Sequence, residues 1–101
     1  MTDKELLVLA AKAAGMRLNH QGQPTTGNYY DSSDFNWNPL TDDGDALRLA
    51  VKLGVSMNLQ LCTILPTKEI GFIAEDKYPD PYASTRRAIV RSAAEIGRSM
   101  G

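Results

Sequence analysis

Trp37-Asn-Pro-Leu-Thr-Asp-Asp-Gly-Asp-Ala-Leu-Arg-Leu-Ala-Val-Lys-Leu-Gly-Val55 holds a loop, a helix start, a helix and a strand entry in one run of side-chain chemistry. Asn38 precedes Pro39, which biases it to extended backbone, so the helix must begin later. Either Thr41 or Asp42 supplies the N-cap, while Asp43 and Asp45 face the positive end of the helix macrodipole. Ala46, Leu49, Ala50 and Leu53 then form one apolar stripe, widened by Leu47 and Val51, and Gly54 stops the helix.

Working downstream, Val55, Met57, Leu59 and Leu61 alternate with Ser56, Asn58, Gln60 and Cys62, the period-two signature of a strand with one core face and one wetter face. Pro66, Thr67 and Lys68 interrupt that run, and Ile70, Phe72 and Ala74 alternate with Glu69, Gly71 and Ile73. The two runs are expected to pair as an antiparallel hairpin, with Gly71 at a bulge. Asp80 before Pro81 combines an N-cap with the proline favoured at the first helical position. A helix of about five turns follows to near Gly101, with Tyr82, Ile89, Ala93, Ile96 and Met100 on one face and Arg87, Arg91 and Arg98 on another.

Upstream, Thr2 and Glu5 have capping-box spacing, and Leu6, Leu9, Ala10, Ala13 and Ala14 recur at helical intervals until Gly15. A helix is expected near residues 3–14, and its alanines predict a close approach to a neighbour. From Met16 to Asn36 no helical period survives, and Gly22, Pro24 and Gly27 break any regular element. The expected fold is α+β, three helices packed on a small antiparallel sheet made of a hairpin, with room for a short third strand. Residues 1–101 form one domain in this reading, with 16–36 as a long irregular loop or short strand region. Leu49, Leu53, Leu59, Phe72, Ile89, Ala93 and Ile96 are expected to share one core.

The 101 residues carry a formal net charge of −1, against the basic balance of a dedicated nucleic-acid binder, but the charges are unevenly placed. Asp31, Asp34, Asp42, Asp43 and Asp45 fall in a stretch without Lys or Arg, whereas Arg86, Arg87, Arg91 and Arg98 gather near the end. No run approaches the ~20 apolar residues of a membrane span, and the N-terminus lacks the pattern of a signal peptide. A cytoplasmic protein without membrane contact is expected. The single cysteine, Cys62, agrees with a reducing compartment.

Four places in the sequence carry candidate chemistry. Asp42-Asp-Gly-Asp45 resembles a cation-binding fragment but lacks the spacing and distal Glu of a calcium loop, so it reads as helix capping with no metal. Arg86, Arg87, Arg91 and Arg98 could clamp phosphates, against the plainer reading of a solvated face with Glu95 four residues after Arg91. Tyr29, Tyr30, Phe35 and Trp37 place four aromatics in nine residues, suited to core packing or to a partner surface. His20 lies among Gln, Gly and Asn with no orienting carboxylate, and Cys62 becomes a nucleophile only where folding brings His20 beside it.

The segments Met1–Gly15, Trp37–Val55 and Asp80–Met100 resemble a family of small phage and prophage proteins, the phage ABA sandwich family. The resemblance rests on Trp37-Asn-Pro-Leu-Thr-Asp-Asp-Gly-Asp-Ala-Leu-Arg-Leu-Ala-Val and Ser84-Thr-Arg-Arg-Ala-Ile-Val-Arg-Ser-Ala-Ala-Glu-Ile-Gly, roughly half the chain. It implies an alpha/beta sandwich and a phage or prophage origin, hence a bacterial host cytoplasm, with no catalytic residue and no cofactor to carry over. A three-layer sandwich needs both sheet faces covered, whereas Ser56, Asn58 and Gln60 read as a wet face. Two layers per chain are therefore expected, with a weak homodimer as the cover.

The leading expectation is a non-enzymatic accessory protein that binds a host or phage protein through Tyr29, Tyr30, Phe35 and Trp37 or through Arg86, Arg87, Arg91 and Arg98. The first alternative is a nucleic-acid-binding module using the basic helix face. The second is a small enzyme built around His20, Cys62 or the Asp42–Asp45 carboxylates.

Overall fold

The computed structural model describes residues 1–16, 37–77 and 79–100, so His20, Tyr29, Tyr30 and Phe35 lie outside the described residues. Three helices and three strands follow in the order α1 (Asp3–Ala13), α2 (Asp43–Leu53), β1 (Ser56–Asn58), β2 (Thr63–Leu65), β3 (Ile73–Ala74) and α3 (Pro81–Ser99). This is the α+β arrangement of three helices on a small antiparallel sheet that the residue patterns predict.

Each helix starts on the expected cap. The Glu5 amide donates to the Thr2 hydroxyl at 3.1 Å, and the Asp45 amide to Asp42 Oδ2 at 2.9 Å, which settles the choice between Thr41 and Asp42. Asp80 Oδ1 accepts from the Tyr82 and Ala83 amides at 3.0 and 3.3 Å. Caps of this kind contribute about 0.5–2 kcal/mol each. Gly54 ends α2 in the left-handed region at φ 65°, where a Cβ would be strained.

Helix α3 is the hub: it packs on α1, on α2 and on the sheet through β2 and β3. The buried cluster joins Leu6, Leu49, Ile64, Ile89 and Val90 with alanines, and seven of its twelve buried residues are Ala (Ala10, Ala14, Ala46, Ala50, Ala88, Ala93 and Ala94). Such small side chains let helix axes come close. The tightest point is Gly97, where an added Cβ would stand 2.1 Å from the Leu9 carbonyl oxygen of α1. A glycine inside a helix costs about 1 kcal/mol in propensity, and here the close contact with α1 requires it.

The sheet has the order β1-β2-β3, with Met57 opposite Ile64 and Ile64 opposite Ile73. These inward residues face the helices, and Ile64 is fully buried. The sheet departs from the residue-pattern expectation in pairing and in parity. First, the chain does not continue as one strand from Val55 to Cys62 but reverses after Asn58, and β1 pairs with β2 rather than with residues 70–74. The Asn58 carboxamide and carbonyl oxygens both accept from the Leu61 amide, at 3.2 and 3.3 Å, so the asparagine builds the turn. Leu59 is consequently 60% exposed rather than in the core, and Cys62 is buried rather than on a wet face.

Second, the parity of the third run is inverted. Ile73 faces the helices, and Phe72 points outward at 73% exposure. Both parities of residues 70–74 carry apolar side chains, so alternation alone did not choose the face, and a one-residue shift turns every side chain over. Gly71 is no bulge; its amide closes a turn by donating to the Thr67 carbonyl at 3.0 Å. On the helices, Leu47 and Val51 do not widen the buried stripe of α2, and Tyr82 and Met100 do not join that of α3, for all four are exposed. Of the expected core, Leu49, Ile89 and Ala93 are buried, and Leu53 and Ile96 are half-buried.

Candidate partner surface

The four arginines of α3 are directed into the molecule's own ion pairs. Arg86 donates through Nε to the Leu40 carbonyl at 2.8 Å and through Nη1 to Asp43 at 2.6 Å, locking α3 to the start of α2. Arg87 reaches Asp3 at 3.2 Å, Arg91 pairs with Glu75 and donates to the Ala74 carbonyl at 3.1 Å, and Arg98 pairs with Glu95 at 3.2 Å. The side chain of Arg86 is only 17% exposed. The i to i+4 pairing of Arg91 with Glu95 expected from spacing is replaced by a tertiary pair to the segment after β3. Arg86, Arg87 and Arg91 thus act as struts between α3 and other segments, whereas the Arg98 pair stays within α3.

Trp37, the one described member of the aromatic cluster, is half-buried against the hydrophobic core. The acidic run serves α2: Asp42 caps it, Asp45 Oδ2 accepts from the Asn38 amide at 3.0 Å, and Asp45 Oδ1 pairs with Arg48 at 2.8 Å. Among the described residues, no group of three or more His, Cys, Asp and Glu side chains could hold a metal ion. Cys62 sits at φ 49° with its thiol 3.4 Å from the Thr85 hydroxyl and no exposed surface. A left-handed non-glycine residue costs roughly 1–3 kcal/mol, which burial of the sulfur under α3 helps offset.

What sequence periodicity missed is a set of large apolar side chains left in solvent on both sides of the sheet. Leu47, Val51, Leu59, Leu61, Phe72 and Tyr82 are each more than half exposed. Two open grooves are lined by most of them. One, about 420 Å³, lies on the outer face of the sheet and is lined by Ser56, Asn58, Leu61, Thr63, Leu65 and Phe72 with Met57 at its edge. The other, about 480 Å³, lies on the helix side between β1, α2 and the start of α3, with Leu47, Met57, Leu59, Tyr82 and Ile89 among its walls.

The outer sheet groove has no charged residue in its lining, and the helix-side groove has only the mutually paired Asp43 and Arg86. A signal for this was present in the sequence: residues 55–67 contain no Lys, Arg, Asp or Glu. No described helix is long and apolar enough to cross a membrane. Comparison of the chain with protein-family models, with curated proteins and with solved structures finds no match in any of the three.

Proposed function

We propose that this chain is a non-enzymatic interaction module that binds another protein through the uncharged outer face of its sheet. The observation that carries the reading is that face itself, where Leu61 and Phe72 stand exposed around Ser56, Asn58 and Thr63 with no charge to solvate it. Its inner counterpart is covered by helices, and a sheet face of this composition is buried in the same way by an apolar helix face, here supplied by the partner. The resemblance to the phage ABA sandwich family supports a phage or prophage accessory role in a bacterial cytoplasm, with a host or phage protein as partner. Genes for recombination, lysis or packaging beside its own would identify the process served.

The nucleic-acid alternative draws on Arg86, Arg87, Arg91 and Arg98. Each already holds a carboxylate, so a phosphate backbone would compete with Asp43, Asp3, Glu75 and Glu95 for the same forks.

The test compares immobilised wild-type chain with the Leu61→Ser, Phe72→Ser double variant in bacterial lysate. A protein retained by the first and lost by the second is expected. Equal retention by both overturns the reading. Retention of nucleic acid instead, falling steeply with salt, transfers the function to the arginine face.

A further inference from the structure

We infer that β3 is a releasable latch fastened by Arg91 of α3: the edge strand and the residues leading into it detach from the sheet while the helices stay folded. β3 is two residues long and makes two residue pairs with β2, Thr63 opposite Ala74 and Ile64 opposite Ile73. None of residues 70–75 is fully buried; Ile73, the inward one, is half-buried, and Phe72 is exposed. β2 beside it is anchored by Ile64, which is fully buried under the helices. Elements of such unequal burial open separately, the shallow one at the smaller cost.

The fastening at the end of the strand is polar. Arg91 Nη1 donates to the Ala74 carbonyl at 3.1 Å and to the Glu75 carboxylate, and the Glu75 amide donates to the Cys62 carbonyl at 3.2 Å. One guanidinium nitrogen thus holds the segment by backbone and by side chain, and both holds are lost together. The Arg91 and Glu75 side chains are 40% and 21% exposed, so solvent ions reach and screen the pair. The consequence bears on the proposed partner surface, and this part rests on that reading. Phe72, next to β3 in the chain, lines the outer groove with Leu61 and Leu65. Release carries Phe72 away from them, so the groove is whole only while Arg91 holds, and a partner seated in the groove in turn keeps the latch shut.

The experiment is amide hydrogen exchange of the full chain by NMR, with the Glu75 amide reporting on the latch and the amides of the fully buried Val90 and Ala93 reporting on α3. After correction for intrinsic rates, the Glu75 amide is expected to exchange at least roughly tenfold faster than the α3 pair. Dilute urea should accelerate α3 steeply and Glu75 little, because release of the latch exposes far less surface than unfolding does. Arg91→Gln should speed Glu75 exchange about five-fold at low salt, and raising the salt should narrow that gap by accelerating wild type. Glu75 and α3 amides that share one rate and one urea dependence overturn the inference. So does an Arg91→Gln variant whose Glu75 amide exchanges as wild type does at low salt. No partner is present in the measurement, so either result leaves the outer-face reading to its own lysate test.

Discussion

The seam between α1 and α3 and the outer face of the sheet use side-chain size in opposite ways. In the seam, Ala10, Ala14, Ala93, Ala94 and Gly97 are buried, and backbones approach until a single Cβ would collide. On the sheet, Phe72 and Leu61 are left in water. The helix layer gains its stability from close backbone approach between small side chains, while two bulky groups on the sheet's outer face stay uncovered among the described residues. That contrast is what the proposed interaction role rests on.

The contrast breaks first at the core. Leu49→Ala removes one of the few large buried side chains and should lower unfolding free energy by about 2–5 kcal/mol in urea titration. A loss below about 0.5 kcal/mol would mean that the helix layer is not packed as described. Next in size is Gly97→Ala, which ordinarily helps a helix by about 1 kcal/mol but here meets backbone, not a yielding side chain. It should destabilise by about 1–3 kcal/mol, and a stabilised variant would show that α1 and α3 do not touch at Leu9.

A smaller effect is expected from reversing the struts. Arg87→Glu with Arg91→Glu replaces two half-exposed ion pairs, to Asp3 and Glu75, by like charges. The fold should survive with a loss of about 1 kcal/mol that shrinks as salt is raised. No salt dependence would mean that these arginines do not brace α1 and β3. Smallest is Phe72→Ser, which should change stability by less than about 0.5 kcal/mol while affecting partner binding. A loss above about 2 kcal/mol would place Phe72 in the core after all and erase the contrast.

The elements legible from residues were those whose signals are local. Thr2, Asp42 and Asp80 cap where their hydroxyl and carboxylate chemistry dictates, Gly54 terminates α2, and the 3.6-residue periods of α1, α2 and α3 locate helices nearly to the residue. The sheet was harder, because a period of two is satisfied equally by one eight-residue strand and by a strand that turns at Asn58. Trp37 lies half-buried, whereas the rest of the aromatic cluster, Tyr29, Tyr30 and Phe35, falls outside the described residues. Of the arginines, spacing identified the cluster but not its partners. Asp3, Asp43 and Glu75 lie 84, 43 and 16 residues away in sequence from Arg87, Arg86 and Arg91.

The sequence by itself determined the three helices, the Thr2 and Asp80 caps and the α+β class, and narrowed the α2 cap to Thr41 or Asp42, since each follows from interactions among residues within a turn or two of one another. Only the tertiary structure decided which face of β3 looks inward, where the Val55–Cys62 run reverses, which carboxylates occupy the arginines, and that Leu59, Leu61 and Phe72 remain outside. The physical reason is that those outcomes depend on which distant surfaces compete for the same groups. Ile64, held between Met57 and Ile73, takes the place under the helices, and its neighbours Thr63 and Leu65 are thereby turned to the other side.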